Sequence, residues 1–155
     1  MTELYKTELM EEAEFRDLVL KEHKAGHFKG DPHKMQVDFK LNKESVDFVG
    51  LAFYDEQSSE VAGFVGLDVY KSKEGTVGMI HCLGVPKKYR RQGISVKLLE
   101  AVEEAAKSKY DLVAVYSICN PISEKSHLKA GYVVTHPGRL SPSGKRMQIR
   151  LKKHL

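Results

Sequence analysis

The apolar positions change period several times along the chain, and each change marks an element. Within residues 10–24, Phe15, Leu18 and Val19 recur at helical spacing among charged side chains, which predicts an amphipathic helix ending near Gly26. Residues 26–43 are polar, rich in His and Lys and without a period, so no element is assigned there. Segments 46–54 and 61–70 read as strands, and the polar stretch 55–60 between them predicts an antiparallel hairpin. A third strand is expected over 77–85. The period then becomes helical from about 92 to 108, with Ile94, Leu98, Val102 and Ala105 on one stripe. Residues 112–118 read as strand again. Asn120-Pro121 supplies an N-cap and a first helical residue, and Gly131 suits the left-handed position that ends that helix. Strands over 132–135 and 147–151 complete the pattern, with Pro137, Gly138, Ser141, Pro142 and Gly144 marking the loop between them. This order predicts an α/β fold, a mixed sheet flanked by helices. With no repeat and no linker, the 155 residues read as one domain over 1–155.

Composition narrows the function classes. At 41% hydrophobic and 30% charged residues, the composition is that of a globular chain and argues against disorder or a membrane protein. Its apolar runs fall far short of the roughly 18 residues that span a bilayer, and Met1-Thr2-Glu3-Leu4 lacks the start of a signal peptide, so the expected address is cytoplasmic. Cys82 and Cys119 have no metal-ligand spacing and are too few for a disulfide framework; both read as reduced, buried thiols. His23, His27 and His33 share no helical face with a carboxylate, and no metal is expected. A net charge of +4 is too mild to imply nucleic acid, and no nucleic-acid or membrane partner is expected. The charge is uneven, however. Residues 87–97 carry Lys87, Lys88, Arg90, Arg91 and Lys97 with no acid, whereas residues 1–17 hold six acids. The basic run at the C-terminal end reads as an ordinary solvated face.

The basic cluster falls where a strand ends and a helix begins. Free N–H groups in the first turn, the helix dipole and a glycine at position 93 suit a bound diphosphate. Neither a Walker A loop nor a dinucleotide fingerprint is present. The stretch Val85-Pro86-Lys87-Lys88-Tyr89-Arg90-Arg91-Gln92-Gly93-Ile94-Ser95 resembles the acyl-CoA signature of the GNAT superfamily of N-acyltransferases, Arg/Gln-x-x-Gly-x-Gly/Ala. Here the core is Arg90-x-x-Gly93-x-Ser95, with Ser95 departing from the family's Gly/Ala but remaining small and keeping its backbone N–H. A second block, Asn120 through Gly131 and Tyr132, resembles the family's later pattern at matching spacing. The resemblance implies acetyl-CoA as co-substrate. It implies that Arg90 and the amides of Gln92, Gly93, Ile94 and Ser95 hold the pyrophosphate, with Lys87, Lys88 and Arg91 reaching the remaining phosphate. It further implies that Leu83, Gly84 and Val85 pair with pantetheine, and that Asn120 borders the cofactor.

Acetyl transfer to an amine needs a neutral amine, a polarised thioester carbonyl and a proton for the thiolate. The family's tyrosine acid falls here on His127. A free imidazole with a pKa near 6.5 is about a quarter protonated at pH 7, so His127 is chemically able to serve. A packing histidine is the alternative. The family's glutamate base falls on Met79 or His81, which leaves His81, a core histidine, or water as the competing accounts. By strict strand alternation His81 shares a face with Met79 and Leu83, and Cys82 faces away. The expected activity is an N-acetyltransferase joining acetyl-CoA to an amine acceptor, small molecule or peptide, by direct attack in a ternary complex. The alternative is a catalytically weak acyl-CoA sensor. The pattern allows a homodimer without requiring one.

Overall fold

The computed structural model describes residues 4–27 and 45–155. Strand β1 (Tyr5–Met10) leads into helix α1 (Glu12–Lys24). After residues 28–44, which lie outside the described set and contain most of the segment left unassigned from sequence, come β2 (Asp47–Asp55), β3 (Val61–Ser72) and β4 (Gly75–Gly84). A short 3-10 turn, Lys87–Tyr89, precedes α2 (Ile94–Lys107). Then follow β5 (Leu112–Cys119), α3 (Pro121–Lys129), β6 (Val133–His136), β7 (Arg139–Leu140), β8 (Arg146–Met147) and β9 (Ile149–His154). Among the described residues seven strands form one sheet in the order β1-β2-β3-β4-β5-β9-β6, while β7 and β8 pair separately. All sheet pairs are antiparallel except β4 with β5. The expected mixed sheet with flanking helices is therefore present.

One face of the sheet is covered by α2. Its stripe of Ile94, Leu98, Leu99, Val102 and Ala106 is buried against Leu51, Val65, Leu67 and Val115. Gly63 makes that approach possible, since a Cβ there would stand 2.7 Å from the Leu98 side chain. The other face receives α1, whose Phe15 and Val19 pack on Ala52, Phe64 and Cys82. Helix α1 ends as expected, with Ala25 as C-cap and Gly26 at φ 75°.

Three elements differ from the pattern read along the chain. β1 precedes the first expected helix, in residues to which, Met10 apart, the pattern assigned no element. It is an exposed edge strand, and its one ring contact, Tyr5 stacked on Phe53 at 6.1 Å, is too little to create a strand-like period. The expected strand 147–151 is split, because Gln148 sits at φ 55° between β8 and β9. The C-terminal basic run is not simply a solvated face. Lys152 reaches Glu74 at 3.1 Å and lies over the Tyr116 ring, and Lys153 reaches Glu103 at 2.8 Å.

Candidate active site

The site starts from a failure of strand pairing. β4 and β5 pair from Thr76↔Leu112 to Met79↔Tyr116, with one register shift after Thr76, and no pair between them follows. Beyond that point β4 stays bonded to β3 as far as Gly84, and β5 to β9 as far as Cys119. The two central strands therefore part like a wedge, each held on its outer side. Backbone groups on the inner edges are left for another partner, because buried N–H and C=O groups require one.

A bulge shapes the β4 side of this wedge. Gly66 pairs with His81 and Phe64 with Gly84, so β4 carries an extra residue, and Cys82 takes the left-handed φ of 58°. This corrects the strict alternation read from sequence. Cys82 joins Phe15 and Phe64 on the α1 side, the side on which the His81 ring meets Phe48, whereas Leu83 packs toward the α2 core. Burial pushes the Cys82 thiol up to about 12 and the Cys119 thiol up to about 11, so neither forms a thiolate at neutral pH. At Gly84 a Cβ would stand 2.3 Å from the Phe64 ring, so only glycine fits.

The loop after β4 is built by anchors on both sides. Arg90 folds back, its Nε donating to the Val85 carbonyl at 3.1 Å. Tyr89 is buried and its hydroxyl donates to Asp55 Oδ2 at 2.9 Å, close to Ser58 and Glu60 as well. Backbone N–H bonds from Gln57, together with that hydroxyl, hold the Asp55 carboxyl below its ordinary range. Tyr5 donates to Gln92 Oε1 at 2.9 Å, and the Lys87 N–H donates to the His27 carbonyl at 3.2 Å. Lys88 is engaged by Glu60 at 3.0 Å, and Lys87, Arg90, Arg91 and Lys97 are further exposed cations on this loop and the first turns of α2. Because the Tyr89 hydroxyl ties this loop to the β2–β3 turn, Tyr89→Phe is expected to cost about 1–2 kcal/mol, measured by urea unfolding.

Between these anchors the backbone turns inside out. Arg91 lies at φ 65° and Gly93, the N-cap of α2, at φ 74°. The first helical bond in this turn is Lys97 N–H to the Gly93 carbonyl. The amides of Ile94, Ser95 and Val96 thus form the open N-terminus of a 14-residue helix, with no side-chain cap. A Cβ at Gly93 would meet nothing within 4 Å. Glycine is needed there for its φ, not for space, and the surface it leaves is open. Ile94 is buried as a packing residue, while Ser95 is half-buried in the first turn.

Two histidines flank the wedge in different surroundings. His127 on α3 is 1% exposed and packs edge-on against Tyr132, on the α2 side. Its Nδ1–H donates to the Ser123 carbonyl at 2.7 Å, so Nε2 accepts from the Ser117 hydroxyl at 2.7 Å. Burial lowers its pKa, and the resting ring is neutral; the quarter protonation expected of a free imidazole does not apply. His81 is also buried, and its Nδ1 lies 2.9 Å from Asp68 Oδ2. Asn120 caps α3, its Oδ1 accepting from the Ser123 N–H at 3.3 Å. Sequence reading missed Ser117 and Asp68. The signal for Asp68 was available: it is the only acid in β3, and a buried acid requires a partner.

A cavity adjoins this site through Phe48, whose ring meets His81. Of about 560 Å³ and lined by residues including Glu11, Glu12, Asp47 and Phe48, it opens at the start of α1 and β2, the end of β2 opposite the Tyr89 anchor. Among the described residues no three His, Cys, Asp or Glu side chains are placed to hold a metal ion, and no helix is long and apolar enough to cross a membrane.

Comparison with known proteins gives one family. The family model described as Acetyltransferase (GNAT) family matches residues 9–132. No curated protein matches the chain in sequence. Solved structures match over nearly its whole length at low identity. YhbS, a GNAT family N-acetyltransferase from Escherichia coli solved with CoA, is 16% identical with a TM-score of 0.65, over 99% of this chain and 83% of its own. NAA60 of Arabidopsis thaliana with acetyl-CoA is 16% identical with a TM-score of 0.66, over 97% and 98%. A GNAT family acetyltransferase from Streptococcus pneumoniae is 16% identical with a TM-score of 0.67, over 97% and 99%.

Proposed function

The chain belongs to the GNAT acetyltransferase family, and from that premise we propose that it transfers an acetyl group from acetyl-CoA to a primary amine within a ternary complex. The observation that carries this reading is the open N-terminus of α2 beside the β4–β5 wedge. In it the diphosphate lies on the amides of Gln92 to Ser95, with Arg91 and Lys87 supplying charge. Arg90 acts from behind by bracing Val85. The pantetheine arm enters the wedge, where Leu83, Gly84 and Val85 offer backbone partners and Asn120 borders the opposite side. Solved relatives hold CoA or acetyl-CoA, which supports the choice of ligand. Free cysteines at 82 and 119 fit a reducing, cytoplasmic compartment.

For the chemistry we assign His81 as base and His127 as the group that carries the last proton. The amine arrives as an ammonium ion and gives one proton to His81, which passes it to water. The neutral amine then attacks the thioester carbonyl, so that a C–N bond forms as the C–S bond breaks. The second amine proton reaches the departing thiolate through His127, which starts and ends neutral as its burial requires. A peptide N-terminus is a reasonable acceptor, since NAA60 was solved with a bisubstrate analogue and the NatC complex with a peptide.

The full engagement of His127 by Ser117 and Ser123 favours one second reading, a sensor that binds acyl-CoA without turnover. One measurement tests both readings and a second separates them. Acetyl-CoA at about 100 times its dissociation constant is expected to stabilise the fold by roughly 2.7 kcal/mol, and no melting shift would sink both. Release of free thiol with a panel of amines supports the enzyme; binding without thiol release supports the sensor.

A further inference from the structure

We infer that Asp68 is the positioning residue of His81, its carboxylate holding the imidazole as the Nδ1–H tautomer so that Nε2 carries the lone pair that takes the amine's proton. The inference rests on the assignment of His81 as base and adds a residue that the family motifs do not contain.

The geometry is that of a constructed pair. Asp68 on β3 and His81 on β4 are 6% and 7% exposed, and Oδ2 meets Nδ1 at 2.9 Å. A carboxylate accepts and cannot donate, so the proton on that line belongs to Nδ1. The Phe48 ring stands edge-on to the imidazole, with ring centres 6.2 Å apart and planes at 89°. Gly66 makes room for this wall: a Cβ there would lie 2.8 Å from the Phe48 ring and equally close to the His81 carbonyl. His81 lies two residues beyond Met79, the last residue of β4 paired with β5, and directly before the bulge at Cys82. The pair thus stands where the wedge begins.

Other charged or titratable groups bear on this side without replacing Asp68. Arg16 and Glu12 of α1 are paired with each other at 2.6 Å, and Tyr70 and Cys82 border the carboxylate from β3 and β4. In the reaction, one N–H bond of the ammonium breaks and an Nε2–H bond forms. The imidazolium charge is held beside the Asp68 carboxylate until water removes the proton.

The test reads the tautomer first and activity second. Long-range 15N NMR of the histidine side chains of the whole protein, with the His81 signals assigned through His81→Gln, is expected to show His81 as the Nδ1–H form. In Asp68→Asn, whose carboxamide can present an N–H to Nδ1, the Nε2–H form should become dominant. With an amine found by thiol release, Asp68→Asn should lower kcat about 100-fold while leaving KM for acetyl-CoA within about twofold. A wild-type His81 in the Nε2–H form overturns the inference even if Asp68→Asn does not fold. So does an Asp68→Asn protein that retains wild-type kcat while His81→Gln has lost it. If His81→Gln also retains full turnover, the base assignment itself fails, a different result.

Discussion

Gly93→Glu is expected to weaken coenzyme A binding by at least about 100-fold while leaving the protein folded. The replacement has two costs. An L-residue in the left-handed conformation at φ 74° loses roughly 1–2 kcal/mol. The carboxylate also occupies the positive end of α2, the same amides that the diphosphate needs. That second effect opposes the first in the free protein, because an acid at a helix N-terminus is favoured by about 0.3–1 kcal/mol. The melting temperature should therefore fall only slightly. In the complex the two negative groups compete, and about 2.7 kcal/mol of lost binding corresponds to the 100-fold change. Gly93→Asn is the control, since Asn tolerates the left-handed region and brings no charge. Calorimetric titration with CoA checks both. Affinity within threefold of wild type in Gly93→Glu would remove the α2 N-terminus from the binding site.

The elements legible in the sequence were those whose signal is local. Helix α2 declares itself through Ile94, Leu98 and Val102 at helical spacing, and α3 through Asn120 and Gly131, because caps and stripes depend on neighbours a few residues away. The strand-to-helix junction and its glycine at 93 were legible for the same reason, although the left-handed φ of Gly93 was not read. What was missed depends on distant partners. β1 is a strand only because β2 offers it an edge, and its own side chains are mostly exposed. The bulge at Cys82 exists between two strands, and without it alternation sends Cys82 and Leu83 to the wrong faces. The partners of the histidines follow the same rule. Ser117 and Asp68 lie 10 and 13 residues from His127 and His81, and only the fold brings each pair together. The sequence identified which side chains could do acid–base chemistry; the neutral resting state of His127 follows from its burial, which no spacing reveals.

His127→Phe is expected to cost about 2–3 kcal/mol at pH 7.5, and that cost should shrink as the solution is acidified. The phenyl ring keeps the contact with Tyr132 but offers no nitrogen. The buried Ser117 hydroxyl loses its acceptor and the Ser123 carbonyl loses a donor, and unsatisfied buried groups cost about 1–3 kcal/mol each. The pH dependence follows from the lowered pKa of the native imidazole, whose first cause is burial. Below about pH 6.5 the unfolded chain's histidine binds a proton that the folded one refuses, so His127's contribution is present above that pH and lost as pH falls toward the native pKa. The slope from this one group is at most about 1.4 kcal/mol per pH unit. Phenylalanine has no such proton. Urea unfolding of both proteins from pH 5 to pH 8 should therefore give stability curves that converge on the acid side. Parallel curves would mean that His127 is charged, or open to solvent, in the native state. Its role as a neutral carrier of the last proton would then have to be abandoned.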